Sequence, residues 1–315
     1  MVDDCQSPIN NHKSTIKMPF TQLTPHLFAM QCRSMYYNTG VFISDGQAAL
    51  IDPGLFADEF AAIRKLLRAH KAKPRWLILT HSHWDHVLGP EQFPGVMVVA
   101  HNRYRELALS NVDDVRWALA DWWRRSGVAR TEPFEMPLPD VTVGERGALT
   151  LGGITLELHH VPGHAADQLA IYHAESGTLW ASDILSDSEV PYVSDNLRDY
   201  GLTLEKLAAW NIHTLVPGHG AWTNNAAEIR ARITGDQAYL WELGSRVAAG
   251  VQAGHSIEQT VQICADMLYR RYPDCEFDHQ LNVESVYLEH GGPADPKRYG
   301  WNKDWQNAEK QWSGD

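Results

Sequence analysis

Six consecutive residues, His81-Ser82-His83-Trp84-Asp85-His86, hold three imidazoles and a carboxylate. These are the donors that a borderline divalent cation selects, and four of them at such short spacing are hard to account for as packing. In a turning chain, His81 and His83 face one cation while Asp85 and His86 swing toward a second.

The cluster needs elements that hold it in place. It follows an apolar run at 76–79 with the length and composition of a buried strand. Upstream, 40–44 and 47–51 read as a hairpin about Asp45-Gly46, whose second strand ends at Asp52-Pro53-Gly54. On turn chemistry alone, Asp52 is a residue that opens the turn. A helix at 57–70, with Phe60, Ile63 and Leu67 on one face, leads into the 76–79 strand and makes a βαβ unit. A further strand is expected at 96–100.

The same grammar recurs downstream. A hairpin of 149–151 and 154–158 about Gly152-Gly153 runs into His159-His160-Val161-Pro162-Gly163-His164, where strand alternation allows at most one of His159 and His160 to support a ligand. Another, 169–173 with 178–181, ends at Ser182-Asp183, and 214–216 leads into Pro217-Gly218-His219. Each time an apolar strand stops and a metal-capable side chain follows. Helices are then expected at 225–249, 256–272 and 282–290, two of them opened by capping-box spacing at Asn225/Glu228 and Ser256/Gln259.

With 315 residues, 44% hydrophobic and 21% charged, the chain reads as an ordinary globular protein able to bury a sizeable core. A formal net charge of −12 argues against a nucleic-acid backbone as partner but not against a small substrate drawn to a metal. No run is long enough to cross a membrane. Cys5, Cys32, Cys264 and Cys275 are scattered, and no apolar signal region opens the chain, so a reducing cytoplasm is the expected location.

The hexapeptide resembles the HxHxDH signature of the metallo-β-lactamase fold superfamily, and the resemblance covers roughly 22–232 because His164, Asp183 and His219 follow in the family's order. It implies an α/β fold, a four-layer αβ/βα sandwich at 19–232. A flexible arm at 1–18 would precede it, and a C-terminal helical extension and tail at 233–315 would follow. By resemblance His81, His83 and His164 bind one divalent ion, Asp85, His86 and His219 bind a second, and Asp183 bridges them; Asp52 braces the histidine loop from behind. Zinc is the expected metal, with iron or manganese left open. Three imidazoles leave a coordination position free for water, and two ions about 3.5–4 Å apart can share it.

The implied reaction is hydrolysis of an ester, lactone or related acyl bond by a metal-bridging hydroxide, with Asp85 handling the proton. An aspartate at 183 departs from dedicated β-lactamases that share His86, and Ile184 to Tyr192 lacks the glycine- and arginine-containing signature of glutathione thioesterases. A lactonase would show tyrosine near Ser186, and flavodiiron relatives a glutamate in place of His83. A mononuclear iron persulfide dioxygenase and a β-lactamase-like amide hydrolase are the alternatives. Trp84, Tyr192 and Trp222 beside the ligands point to a small hydrophobic or aromatic substrate, while the stripe Val115, Leu119 and Trp122, flanked by Trp117 and Trp123, is expected to pack as a helix on the sandwich.

Overall fold

A computed structural model describes residues 19–127, 133–269 and 275–294. The expected arm at 1–18 and the tail beyond 294 lie outside them. The first sheet runs in chain order: β1 (Thr21–Gln22), β2 (Leu27–Gln31), β3 (Asn38–Ser44), β4 (Gln47–Ile51), β5 (Lys73–Ile78), β6 (Met97–His101) and β7 (Val141–Val143). The second comprises β8 (Arg146–Leu151), β9 (Ile154–His160), β10 (Leu169–His173), β11 (Thr178–Ser182) and β12 (Thr214–Pro217), and is crossed in the reverse of that order.

Both sheets begin as antiparallel meanders and turn parallel where a helix intervenes. In the first, α1 (Ala57–Ala69) carries β4 into β5; in the second, α5 (Leu197–Ala208) carries β11 into β12. The turn between β3 and β4 has positive φ at Asp45 (46°) and Gly46 (72°), the mirror-image turn that matches strand twist.

Strand alternation builds the layers. Val41, Leu50 and Leu77 face a core shared with α1, α3 (Tyr104–Ser110) and α4 (Val112–Ser126), while their neighbours Phe42, Ile51 and Ile78 face the second sheet. Ile51 and Ile78 there join Leu158, Ile171, Trp180 and Val216. The far side of the second sheet, through Ala170, Leu179 and Leu215, packs on Tyr200, Leu204 and Leu207 of α5 and Ile229 and Ile233 of α6 (Ala226–Gln252). Three cores between four layers make an αβ/βα sandwich. With both faces of each sheet covered, central strands carry apolar residues on both faces, and each fully buried leucine or isoleucine contributes about 1.5–3 kcal/mol.

The C-terminal helices belong to this packing. α6 passes residue 232 without a break, and α7 (Ile257–Cys264) and α8 (Cys275–Glu289) bury Cys264, Val283, Val286 and Tyr287 in the same cluster as α5. The capping box at Ser256 and Gln259 forms, but α7 ends at Cys264, well short of 272. There Arg246 donates to the Ile263 carbonyl at 2.8 Å and pairs with Asp266, which gives the helix end its partners. Among the described residues α8 already includes Cys275, seven residues before the expected 282. Helix α5, unforeseen from sequence, is capped by the Asn196 side chain, which accepts the Asp199 N–H at 2.9 Å. The aromatic stripe packs as a helix: Trp122 is buried against Phe56 at 4.7 Å. Among the described residues, no helix is long and apolar enough to cross a membrane.

Candidate metal centre

All seven metal-capable residues stand in loops at one edge of the sandwich. Beyond β5, Thr80 donates its N–H to Asp52 Oδ1 (2.9 Å) and its hydroxyl to Asp52 Oδ2 (2.7 Å), so the end of β4 holds the start of the histidine loop. A short helix, α2 (Gly89–Gln92), follows that loop. Asp52, Ser182 and Leu185 all adopt left-handed φ (41°, 55° and 61°), a conformation that costs a non-glycine residue about 1–3 kcal/mol and clusters at functional sites. At Gly218 a Cβ would lie 2.0 Å from Asp183 Oδ1, so the Asp183 side chain occupies space that only glycine leaves.

Hydrogen bonds on the outer ring nitrogens orient the imidazoles. His164 Nδ1 donates to the Tyr192 carbonyl (3.0 Å) and His219 Nδ1 to the Met35 carbonyl (2.9 Å), while His86 Nδ1 faces Asp52 Oδ2 at 3.0 Å. Each turns its Nε2 inward. His83 instead turns Nδ1 inward, 3.1 Å from His164 Nε2. The His81 Nε2 and Asp183 Oδ1 atoms are buried with no hydrogen-bond partner.

The inward atoms form two groups, His81, His83, His164 and Asp183, and Asp85, His86, Asp183 and His219. Asp183 Oδ2 belongs to both: it lies 3.6 Å from His81, 3.5 Å from His164, 3.2 Å from His86 and 3.6 Å from His219. Asp85 Oδ2 is 3.1 Å from His219 and 3.5 Å from His86. Donors on a tetrahedral zinc shell with bonds of about 2.0–2.1 Å stand about 3.3–3.4 Å apart, so these spacings fit a cation at the centre of each group.

Electrostatics separates the two groups. Burial, reinforced by neighbouring imidazoles, holds His81, His83 and His164 below the usual histidine range, His83 at about 3. Burial also pulls down on His86 and His219. There the carboxylates outweigh it, Asp183 with Asp85 and Asp52 at His86, Glu189 with Asp183 at His219, and both rings sit well above the ordinary value. Burial opposes ionisation of Asp85 and Asp183, but the imidazoles beside them win and both lie well below the carboxylate range.

The aromatic residues separate. Tyr192 lines a small cavity with His164, Asp183, Glu189 and Tyr200. Trp84 packs 5.5 Å from Trp122, and Trp222 packs against the core between the sheets. His160 stacks on His101 with its Nε2 3.0 Å from the Ala166 carbonyl, whereas His159 turns toward Trp210, and neither touches a ligand side chain in these contacts.

Several supporting residues escaped the sequence reading. Asn38 Nδ2 donates to the carbonyls of Pro217 (2.9 Å) and Gly220 (2.8 Å), clamping the His219 loop. The Tyr37 ring meets His86 and His219 edge-on at 5.2 and 5.4 Å. Glu189, with Oε1 3.7 Å from His219 Nδ1, is pushed up to about 7 by burial despite the pull of that ring. None of the three carries a local sequence signal, since each acts on a loop far along the chain.

Comparison with known proteins agrees with this geometry. Residues 34–219 match the family described as the metallo-beta-lactamase superfamily. The chain is 31% identical over 133 residues to a hydroxyacylglutathione hydrolase of Anaeromyxobacter dehalogenans, a stretch spanning 40% of this chain and 38% of that enzyme. It is 26% identical over 199 residues to the acyl-coenzyme A thioesterase MBLAC2 of Bos taurus, covering 58% of this chain and 67% of that one. The stereoselective inverting sec-alkylsulfatase Pisa1 from Pseudomonas sp. superposes with a TM-score of 0.68 at 17% identity, over 89% of this chain and 51% of its own. That likeness is one of fold.

Proposed function

Because the chain belongs to the metallo-beta-lactamase superfamily, we propose that it is a dinuclear zinc hydrolase that cleaves an ester, lactone or thioester bond of a small molecule with a hydrophobic or aromatic acyl group. The observation that carries this reading is the placement of Asp183 Oδ2 within 3.2–3.6 Å of imidazole nitrogens of His81 and His164 on one side and His86 and His219 on the other, which suits a carboxylate shared by two cations. Bound there, a pair of divalent ions supplies a water acidified toward neutral pH and a Lewis acid for the carbonyl oxygen.

The chain's own residues do the rest. His81, His83 and His164 would hold the first ion through neutral imidazoles, and Asp85, His86 and His219 would hold the second. Asp183 would offset repulsion between the two. Asp85 takes the proton of the attacking water and returns it to the leaving group. Similarity to enzymes named for hydroxyacylglutathione and acyl-coenzyme A favours a thioester within the acyl class. A complete second group favours two ions over the single iron of a persulfide dioxygenase. The charge of −12 favours a small substrate over nucleic acid. Cys32 and Cys264 are free and buried, which supports a cytoplasmic location.

The test is metal analysis of the purified protein alongside a matched panel of thioesters, esters and lactones with lengthening apolar groups. We expect two zinc ions per chain, thioester turnover, and a kcat/KM that rises along each series. One ion per chain under every metal supply, with no acyl bond cleaved, overturns the reading. A flat series removes the hydrophobic substrate alone.

A further inference from the structure

Asp167 lies three residues after His164 and is 1% exposed, and its carboxylate makes no hydrogen bond of full geometry; the donors that act on it are the hydroxyl and N–H of Ser82. A buried carboxylate is costly to keep and is poorly explained by packing. Its surroundings give it a task. Burial pushes its pKa up to about 6, against the hydroxyl and backbone N–H of Ser82 and the charge of Arg103, which draw it down. Ser82 is the residue between His81 and His83. Next to this contact, the Leu169 N–H donates to the Thr80 carbonyl at 2.8 Å, and Arg103 Nη1 donates to the Ala166 carbonyl at 3.3 Å, so the 164–169 segment lies along the histidine loop.

The second group offers a parallel. Behind it, Asp52 grips Thr80 through both oxygens and faces His86 directly. Behind the first group stands Asp167, which faces the peptide joining two ligands instead of a ligand ring. His83 makes that peptide matter, because its outer nitrogen has only a long contact, 3.5 Å to Ser194 Oγ, to fix the ring.

We infer that Asp167 is a positioning residue for the three-imidazole group: through Ser82 it locks the His81–His83 peptide against the His164 loop and so sets the spacing of all three rings. The inference rests on the metal groups proposed above.

The test is a stepwise Co2+ titration of the full chain, followed by visible absorption, with Asp167→Asn and Ser82→Ala beside the parent. For Asp167→Asn we expect affinity at the first group to fall about 10–100-fold with a changed ligand-field band, and the second group to keep its affinity. Ser82→Ala retains the N–H and is expected to show the same selective loss at smaller size, and to add little in the double variant. Parent-like affinity and spectrum in Asp167→Asn, or an equal loss at both groups, overturns the inference. If Asp167→Asn does not fold, Ser82→Ala decides by the same criterion. A parent that binds a single ion removes the dinuclear reading and leaves the inference standing on the first group.

Discussion

The two metal groups share an aspartate but reach readiness for a cation differently. Around His81, His83 and His164, burial and mutual repulsion keep the rings neutral, so their lone pairs are already available. Around His86 and His219, carboxylates overrule burial and the rings hold protons that a metal must displace. On the proposed reading, a cation would bind the first group without proton release and the second with it. The difference follows from where acids sit: Asp52, Asp85 and Glu189 all gather on the second side.

Removing the shared residue breaks the comparison most completely. Asp183→Ala should take both ions below full loading and lower kcat/KM by at least about 10³-fold, the value of several kcal/mol of lost Lewis-acid stabilisation. Metal content and thioester turnover measured on the same sample check it, and a variant that keeps two ions and normal turnover refutes the shared role.

His164→Ala strikes one side only. The expected result is turnover near background with one ion retained, at the second group, and an unchanged circular dichroism spectrum, because the three cores do not draw on this loop imidazole. Retention of both ions would remove His164 from the ligand set.

Titration sharpens the contrast without any substitution. His86 and His219 lie above the ordinary 6.5, so lowering the pH through their raised values returns protons to the second group, whereas the first group's rings stay neutral until far lower, about 3 for His83. Affinity at the second group should fall about tenfold per pH unit for each proton regained, while the first group holds its ion over the same range. Calorimetry in buffers of different ionisation enthalpy reads the proton count directly; equal proton release at both groups contradicts the assignment.

The smallest effect is expected at Asp52. Asp52→Ala frees Thr80 and His86 Nδ1 and should cost about 10–100-fold in metal affinity or activity, more at the second group than at the first. A loss confined to the first group would reverse the proposed division of support.

Much of this was legible in the chain. The largely apolar runs at 47–51, 76–78 and 214–216 lie in strands because both sheet faces are covered, and within a few residues of each run the chain reaches Asp52, His81 or His219 beyond the strand end. Helix limits were less legible: α7 stops where Arg246, eighteen residues before Cys264, supplies the partners for its end, and nothing within 256–272 announces it. Trp84 and Trp222 look alike in sequence to Tyr192, but whether an aromatic packs or lines a cavity depends on neighbours from other layers.

By itself the sequence determined donor types, their order, and their position just past strand ends, all of which follow from composition and a two-residue strand period. Only the tertiary structure decided which donors could share an ion. His86 and Asp183 stand 97 residues apart in the chain and 3.2 Å apart in space, a distance set by packing one sheet on the other through Ile51, Ile78, Trp180 and Val216. It likewise decided that Gly218 makes room for Asp183 and that Asp167 meets Ser82, because such contacts arise between loops that no local pattern relates.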